Sequence, residues 1–194
     1  MPRHFVTIVA GLPRSGTSLM MQMLAAGGMQ VLTDGHRSAD QHNPRGYFEL
    51  EAVKNTRTDH SWLAQAEGKV VKVVHLLLSH LPVDREYRVI FMHRELVEII
   101  ASQRVMLQQQ GRPTANLPDS RLAEIFGKQL AEVRQFLSKN PNFRVLDLQH
   151  RDVIEMPLMV APQIATFLDG DLDPTQMAAA VQPSLYRQRH KQPQ

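Results

Sequence analysis

Short apolar runs, rich in β-branched residues, alternate along the chain with longer segments whose apolar positions recur every three or four residues. The short runs are typical of strands buried on both faces of a parallel sheet. They cover residues 5–10, 70–74 and 88–92, and a fourth run at 143–148 is less purely apolar. The longer segments have the period of amphipathic helices. They cover residues 17–26, 95–109, 121–137 and 153–168.

The alternation of strands and helices predicts a three-layer α/β domain with a central parallel sheet flanked by helices. We expect one domain over residues 1–194, with a basic C-terminal tail at 182–194. Pro157 and Pro162 must lie in the first turn of the last predicted helix or kink it. Right-handed crossovers would place the loops that follow the strands along one edge of the sheet, where ligands bind.

Composition narrows the class of protein. Apolar residues make up 43% of the chain and charged residues 21%, which excludes wholesale disorder and a fibrous repeat. No stretch reaches the roughly 18 apolar residues of a membrane span. The apolar run at residues 5–10 is too short for a signal peptide and has no cleavage site after it. We therefore expect a soluble, cytoplasmic protein with no removed leader.

The charged residues point to small oxyanions as ligands. The net charge of +3 is too small to indicate nucleic-acid binding. The bases are 16 arginines and six lysines, and arginine forms planar, bidentate contacts with phosphate and sulfate. The chain has no cysteine, which excludes disulfides, thiolate metal sites and a cysteine nucleophile. It also lacks His-rich metal motifs, so we expect no metal.

Residues 11–18, between the first strand and the first helix, have the glycine spacing of a phosphate-binding loop. Glycines at positions 11 and 16 let backbone N–H groups turn inward, and the helix N-terminus adds positive potential. Nucleoside triphosphatases need a lysine after the second glycine, but Thr17 stands there and the cation is Arg14. The loop therefore suits a less charged group, such as a phosphosulfate. The alternative is a tight turn in which Ser15 or Thr17 merely caps the helix.

This loop resembles that of sulfotransferases that use 3′-phosphoadenosine-5′-phosphosulfate (PAPS), in which it reads P-[KR]-S-G-T-[ST]. The chain matches every position, which implies a 5′-phosphosulfate site formed by Pro13, Arg14, Ser15, Gly16, Thr17 and Ser18. A second family motif is an arginine at a strand end with a serine eight residues later. Arg94 and Ser102 match it, and the resemblance implies that they hold the 3′-phosphate.

Two later segments are similar to the family less specifically. Residues 145–153 and 164–168 resemble its late strand and the helix after it, with His150 and Arg151 where Tyr-Glu is usual. The same strand could alternatively be interpreted as the Walker B motif of a nucleoside triphosphatase, which would end in Asp147. The tail resembles that of bacterial-type members, which implies that Arg187 or Arg189 reaches the nucleotide.

The general base has two candidates. Residues 43–49 look like the N-P-[KE]-G-Y-[YF]-E element of the bacterial branch, which implies Glu49 as the base. His75, which we predict at the end of the second strand, is the rival. Lys72, in the same predicted strand, needs a partner or must reach solvent, and in relatives a lysine on this strand lies near the sulfuryl group.

The resemblance implies a sulfotransferase that moves a sulfuryl group from PAPS to a small-molecule or carbohydrate hydroxyl by in-line displacement. In that reaction Arg14 stabilises charge on the bridging oxygen, and Glu49 or His75 takes the proton. The alternatives are a P-loop nucleotide kinase or triphosphatase and a non-catalytic nucleotide-binding protein. The sequence specifies neither the acceptor nor the oligomeric state.

Overall fold

A four-stranded parallel sheet forms the centre of the fold in the computed structural model, which describes residues 4–36, 46–113 and 117–185. The strands are β1 (Val6–Gly11), β2 (Val70–Lys72), β3 (Tyr87–His93) and β4 (Phe143–Gln149). Their order across the sheet is β2-β1-β3-β4, and every neighbouring pair is parallel. All four carboxyl ends therefore lie at one edge, where the expected ligand loops begin.

Helices connect the strands. In the described ranges the α-helices are α1 (Thr17–Ala26), α2 (Leu96–Gln109), α3 (Asp119–Lys139), α4 (His150–Glu155), α5 (Pro157–Phe167) and α6 (Pro174–Ala179). Short 3₁₀ helices span Glu51–Asn55, Ser61–Gln65, His75–His80 and Pro183–Leu185. None of these described helices has both the length and the apolarity needed to cross a bilayer.

Each face of the sheet has its own hydrophobic core. Val9, Ile90 and Met92 face one side, where methionines of α1 and apolar residues of α5 and α6 cover them. Ile8, Val89 and Phe91 point to the opposite side, toward α3 and the 3₁₀ helices. Successive strand residues alternate between the faces, so a strand covered on both sides is apolar throughout. The predicted three-layer α/β fold is confirmed.

The helix predicted over residues 153–168 is wrong as a single element. The structure has two helices that meet at Met156, whose φ of −131° and ψ of 48° are not helical. Pro157 is the first residue of α5, where its missing N–H costs nothing because the first turn has no partner for it. Pro162 is accommodated inside α5. The 3.6-residue period continued through the junction and concealed the break.

Candidate active site

Residues 11–18 turn sharply between β1 and α1. Gly11, Arg14 and Gly16 have positive φ angles of 154°, 73° and 100°. A Cβ on Gly11 would lie 2.6 Å from the Met92 carbonyl oxygen, and one on Gly16 would lie 2.4 Å from Cδ2 of His150. Both positions therefore require glycine, because the backbone conformation and the close packing each exclude a side chain.

The start of α1 is available to an anion. Its N-cap is Gly16, and no side chain forms a capping hydrogen bond there, so neither Ser15 nor Thr17 acts as a cap. The first N–H groups of a helix carry partial positive charge and bind phosphate readily. They face a cleft of about 330 Å³ at the carboxyl edge of the sheet.

The predicted donor-binding loop lines this cleft with one exception. The residues that line it are Pro13, Arg14, Gly16, Thr17 and Ser18. The side chain of Ser15 is fully buried, and its N–H donates to the Leu12 carbonyl at 3.1 Å, which closes the turn. The structure thus gives Ser15 a place beneath the loop and not on the cleft surface.

The second predicted motif meets this loop. Arg94 lines the cleft, and its Nη1 donates to the carbonyl oxygen of Arg14 at 3.0 Å. Arg14 Nε in turn donates to Ser102 Oγ at 3.0 Å. Arg94, which lies just before α2, also donates from Nε to Oε2 of Glu98 in the first turn of that helix at 2.8 Å. Arg14, Arg94 and Ser102 are therefore one connected group, in which Ser102 is buried behind Arg14 and does not itself line the cleft.

Lys72 and Glu49 also line the cleft. Lys72 Nζ donates to Ser18 Oγ at 3.2 Å and to the Tyr47 carbonyl at 2.9 Å, and it lies 3.6 Å from Glu49 Oε1. The exposed fractions of the Lys72 and Glu49 side chains are 15% and 30%. The lysine thus finds partners at the end of its strand and connects Glu49 to the phosphate-binding loop.

The chain before Glu51–Asn55 is held in place by a neighbouring segment. The Thr33 hydroxyl donates to the Glu49 carbonyl at 2.7 Å, and the Asp34 N–H donates to the same carbonyl at 3.3 Å. Asp34 also accepts from the Glu51 N–H, and that bond is the largest of the causes that lower the pKa of the Asp34 carboxyl. Phe48, directly before Glu49, has a φ of 52°. These contacts fix the backbone from which Glu49 reaches the cleft.

His75 does not line the cleft, although it is hydrogen-bonded to the backbone of Gly11 in the phosphate-binding loop. β2 ends at Lys72, so His75 does not end the strand as predicted but begins the 3₁₀ helix His75–His80. Its side chain is buried, its Nε2 contacts Oε1 of Gln129 at 3.2 Å, and it is absent from the lining of the cleft. Burial lowers the pKa of His75. The structure therefore brings Glu49 to the cleft and leaves His75 outside it.

His150 is a cleft residue that the sequence did not assign to the site. It is the first residue of α4, directly after β4, and its ring packs against Gly16. Burial, followed by the positive charge of Arg94, lowers the pKa of His150 to about 3, so the ring is neutral at pH 7. Its position at the carboxyl end of a strand was the one signal that could have identified it.

The predicted contacts of Arg187 and Arg189 fall outside the described residues, as do 37–45 and 114–116. Gln182, the first residue of the predicted tail, lines the cleft. The described chain thus reaches the site just before the segment that carries the two arginines.

Comparisons with known proteins identify the family and the fold of the chain. The sulfotransferase domain model matches residues 6–193. The sulfotransferase domain from the curacin biosynthetic pathway shares the fold at 16% identity and a TM-score of 0.53, covering 100% of this chain and 94% of that one. A sulfotransferase from Alicyclobacillus acidocaldarius does so at 13% identity and a TM-score of 0.51, covering 85% and 81%. The search of curated proteins found no match. Because the domain model spans nearly the whole sequence, the chain belongs to the sulfotransferase family and is a transferase of that class.

Proposed function

We propose that the chain transfers a sulfuryl group from PAPS to a hydroxyl acceptor in the cleft. The observation that carries this proposal is the contact between the two anion-binding segments, in which Arg94 donates to the Arg14 carbonyl and Arg14 donates to Ser102, each at 3.0 Å. One wall of the cleft thus offers two cationic positions from separate parts of the chain. PAPS has phosphate groups at both its 5′ and 3′ positions, which suits such a wall better than the single phosphate row of ATP.

The residues present suit this donor. In the proposal the N–H groups at the start of α1, with the hydroxyls of Thr17 and Ser18, hold the 5′-phosphate. Arg94 and Ser102 hold the 3′-phosphate through charge-assisted hydrogen bonds. The room for the donor depends on the glycines, since a Cβ at position 11 or 16 would collide with its neighbours. Arg187 and Arg189 stay predicted contacts of the nucleotide from the tail.

The transfer itself needs charge stabilisation and a proton acceptor. As the acceptor oxygen bonds to sulfur, the bond from sulfur to the bridging oxygen breaks, and the proton of the acceptor passes to Glu49. Arg14 stabilises the charge that develops on the bridging oxygen. Arg14 Nε donates to Ser102 in the structure, so in this role the N–H groups on Nη1 and Nη2 face the bridging oxygen. Lys72 adds positive charge beside Ser18.

Glu49 is favoured over His75 as the base. Glu49 lines the cleft and is partly exposed, so an acceptor hydroxyl can reach its carboxylate. His75 is buried against Gln129 outside the cleft lining, and a base must lie within hydrogen-bond reach of the proton it removes.

The acceptor side of the cleft has an apolar surface. Tyr47, Val73 and Val74 line it, and Val74 is exposed. We propose that the acceptor is a small-molecule or carbohydrate alcohol whose less polar face lies on these side chains, and that the reaction takes place in the cytoplasm.

A direct test incubates the purified protein with PAPS labelled with sulfur-35 and a panel of phenols, aliphatic alcohols, sugars and tyrosine peptides. We expect label to appear in at least one acceptor class, with one equivalent of adenosine 3′,5′-bisphosphate released for each sulfate transferred. Tight binding of the bisphosphate without transfer to any class would contradict the proposal and indicate a non-catalytic nucleotide-binding protein. Phosphoryl transfer from Mg·ATP would contradict it in favour of a kinase.

A further inference from the structure

A buried carboxylate lies among the cations that face the cleft. Glu98, one turn after Arg94 on α2, is hydrogen-bonded to it, and the two side chains are 5% and 8% exposed. Buried charges are costly unless they are paired, so each of these groups compensates the other. A carboxylate is nevertheless an unfavourable neighbour for an incoming phosphate.

The charge of Glu98 extends to the cleft surface. Three charged groups act on the cleft residue His150: Arg14 from the loop, Arg94 just before α2 and Glu98 in its first turn. The two arginines lower the pKa of His150, whereas Glu98 raises it. The side chains of Arg94 and Glu98 are nearly buried, and charges interact more strongly where water is excluded. Glu98 therefore subtracts from the positive potential that the arginines create where a phosphate would bind.

We propose that Glu98 is a built-in counter-charge that weakens binding of the 3′-phosphate and thereby speeds release of the bisphosphate product. This inference rests on the proposed function, because it takes Arg94 as the ligand of the 3′-phosphate. Arg94 Nε is bonded to Glu98 and Nη1 to the Arg14 carbonyl, so a phosphate that contacts Arg94 through its other N–H groups competes with Glu98 for the positive charge of one guanidinium. A site without this competition would retain the product longer, and product release limits the turnover rate of many enzymes.

Glu98→Gln separates charge from shape, because the amide oxygen still accepts from Arg94 while the negative charge is removed. Calorimetry and stopped-flow dissociation would compare adenosine 3′,5′-bisphosphate with AMP, which lacks the 3′-phosphate. We expect the bisphosphate to bind at least about fivefold tighter to the variant and to dissociate more slowly by a similar factor, with AMP affinity changed less than about twofold.

Glu95→Gln is the matched control. It removes the same charge from the same helix at the exposed N-cap, whose side chain forms no capping hydrogen bond. Because solvent screens this position, we expect bisphosphate affinity within about twofold of the wild type. If Glu98→Gln does not fold, Glu98→Ala replaces it: this variant also removes the charge, and we expect it to bind the bisphosphate at least about fivefold tighter than Glu95→Ala does.

The outcomes distinguish an incorrect role for Glu98 from an incorrect proposed function. Unchanged or weaker bisphosphate binding by Glu98→Gln, with the wild type still preferring the bisphosphate over AMP, would mean that Glu98 only holds Arg94 in place. The inference would then be wrong and the proposed function would stand. If the wild type instead binds AMP as tightly as the bisphosphate, Arg94 does not bind the 3′-phosphate, and the proposal that PAPS is the donor is also wrong.

Discussion

Arg14 is held in an unfavourable backbone conformation at the centre of the site. Its φ of 73° is rare for a residue with a side chain and costs on the order of 1 kcal/mol. The hydrogen bond from Arg94 to its carbonyl fixes this conformation, while Ser102 Oγ and Met106 Sδ contact the guanidinium at 3.0 and 4.0 Å. Strain of this kind persists where the surroundings impose it, and here they place a cation at the edge of the phosphate-binding loop.

Arg14→Ala tests the role of that cation. We expect turnover with PAPS and an acceptor from the panel to fall at least about 100-fold, which is the loss expected when one preorganised hydrogen-bond donor to the transition state is removed. Binding of adenosine 3′,5′-bisphosphate should survive, since Arg94 and the helix N-terminus remain. Arg121→Ala, on an arginine whose side chain is 63% exposed on α3, is the control and should keep wild-type turnover. Near-normal turnover of Arg14→Ala would show that Arg14 does not stabilise the transition state.

Glu49→Gln and His75→Gln together identify the base. We expect Glu49→Gln to lower turnover at least about 100-fold, because a general base contributes about that much, and to leave bisphosphate affinity unchanged. His75→Gln should retain turnover within about threefold, because His75 lies outside the cleft lining. Steady-state rates normalised to folded protein provide the measurement. The reverse ranking of the two variants would make His75 the base.

Which side chains meet in the site was only partly readable from sequence. The loop and the pair Arg94 and Ser102 have fixed spacings, so they could be named. The contacts of Lys72 with Ser18 and Glu49 depend on how the segment after Gly46 returns over β2, which no local pattern encodes. His150 was missed as a site residue because its place beside Gly16 arises from the pairing of β3 with β4.

At the scale of elements, the turn from β1 into α1 has the strictest packing requirement. For Gly16→Ala we expect the free energy of unfolding to fall by about 2 kcal/mol or more, because the left-handed backbone and the contact with His150 both exclude a Cβ. Urea denaturation provides the measurement.

Gly127→Ala is the control for this change. Gly127 lies inside α3, and a Cβ there meets nothing within 4 Å. We expect Gly127→Ala to raise the free energy of unfolding by about 0.5–1 kcal/mol, since alanine is the better helix former. Equal effects of the two substitutions would contradict a special requirement at position 16.

The elements themselves were largely predictable where a single period dominated. The strands and the helices α1 and α2 followed their patterns to within one or two residues, and the largest difference is at β2, which ends at Lys72, two residues earlier than predicted. The split between α4 and α5 and the short helix α6 were not predicted. α6 packs against α1 and α5, and its stability comes from tertiary contact and from Asp173, which accepts from two N–H groups in its first turn.

At the scale of the whole molecule, the buried neutral His150 makes stability depend on pH. Its pKa of about 3 in the folded protein is below the ordinary value of 6.5. As pH falls below about 6.5, the unfolded chain therefore takes up a proton that the folded protein does not. The free energy of unfolding should then decrease by up to about 1.4 kcal/mol per pH unit. Above pH 6.5 this contribution to stability is fully present.

Urea denaturation at pH 7 and pH 5 checks this expectation. When the pH is lowered from 7 to 5, the free energy of unfolding of the wild type should decrease by about 2 kcal/mol more than that of His150→Gln, which has no titrating ring. His75 is present in both proteins, so its contribution to the difference cancels. Equal losses in both proteins would contradict a neutral buried His150.

The parallel sheet explains how distant segments form one anion site, since the carboxyl ends of all its strands share an edge. The nucleotide class accepted at that edge can be measured directly by thermal denaturation with adenosine 3′,5′-bisphosphate, ADP and Mg·ATP. We expect the bisphosphate to raise the melting temperature at concentrations at which ADP and Mg·ATP have little effect. Stabilisation by Mg·ATP that the bisphosphate cannot reproduce would contradict the assignment of PAPS as the donor.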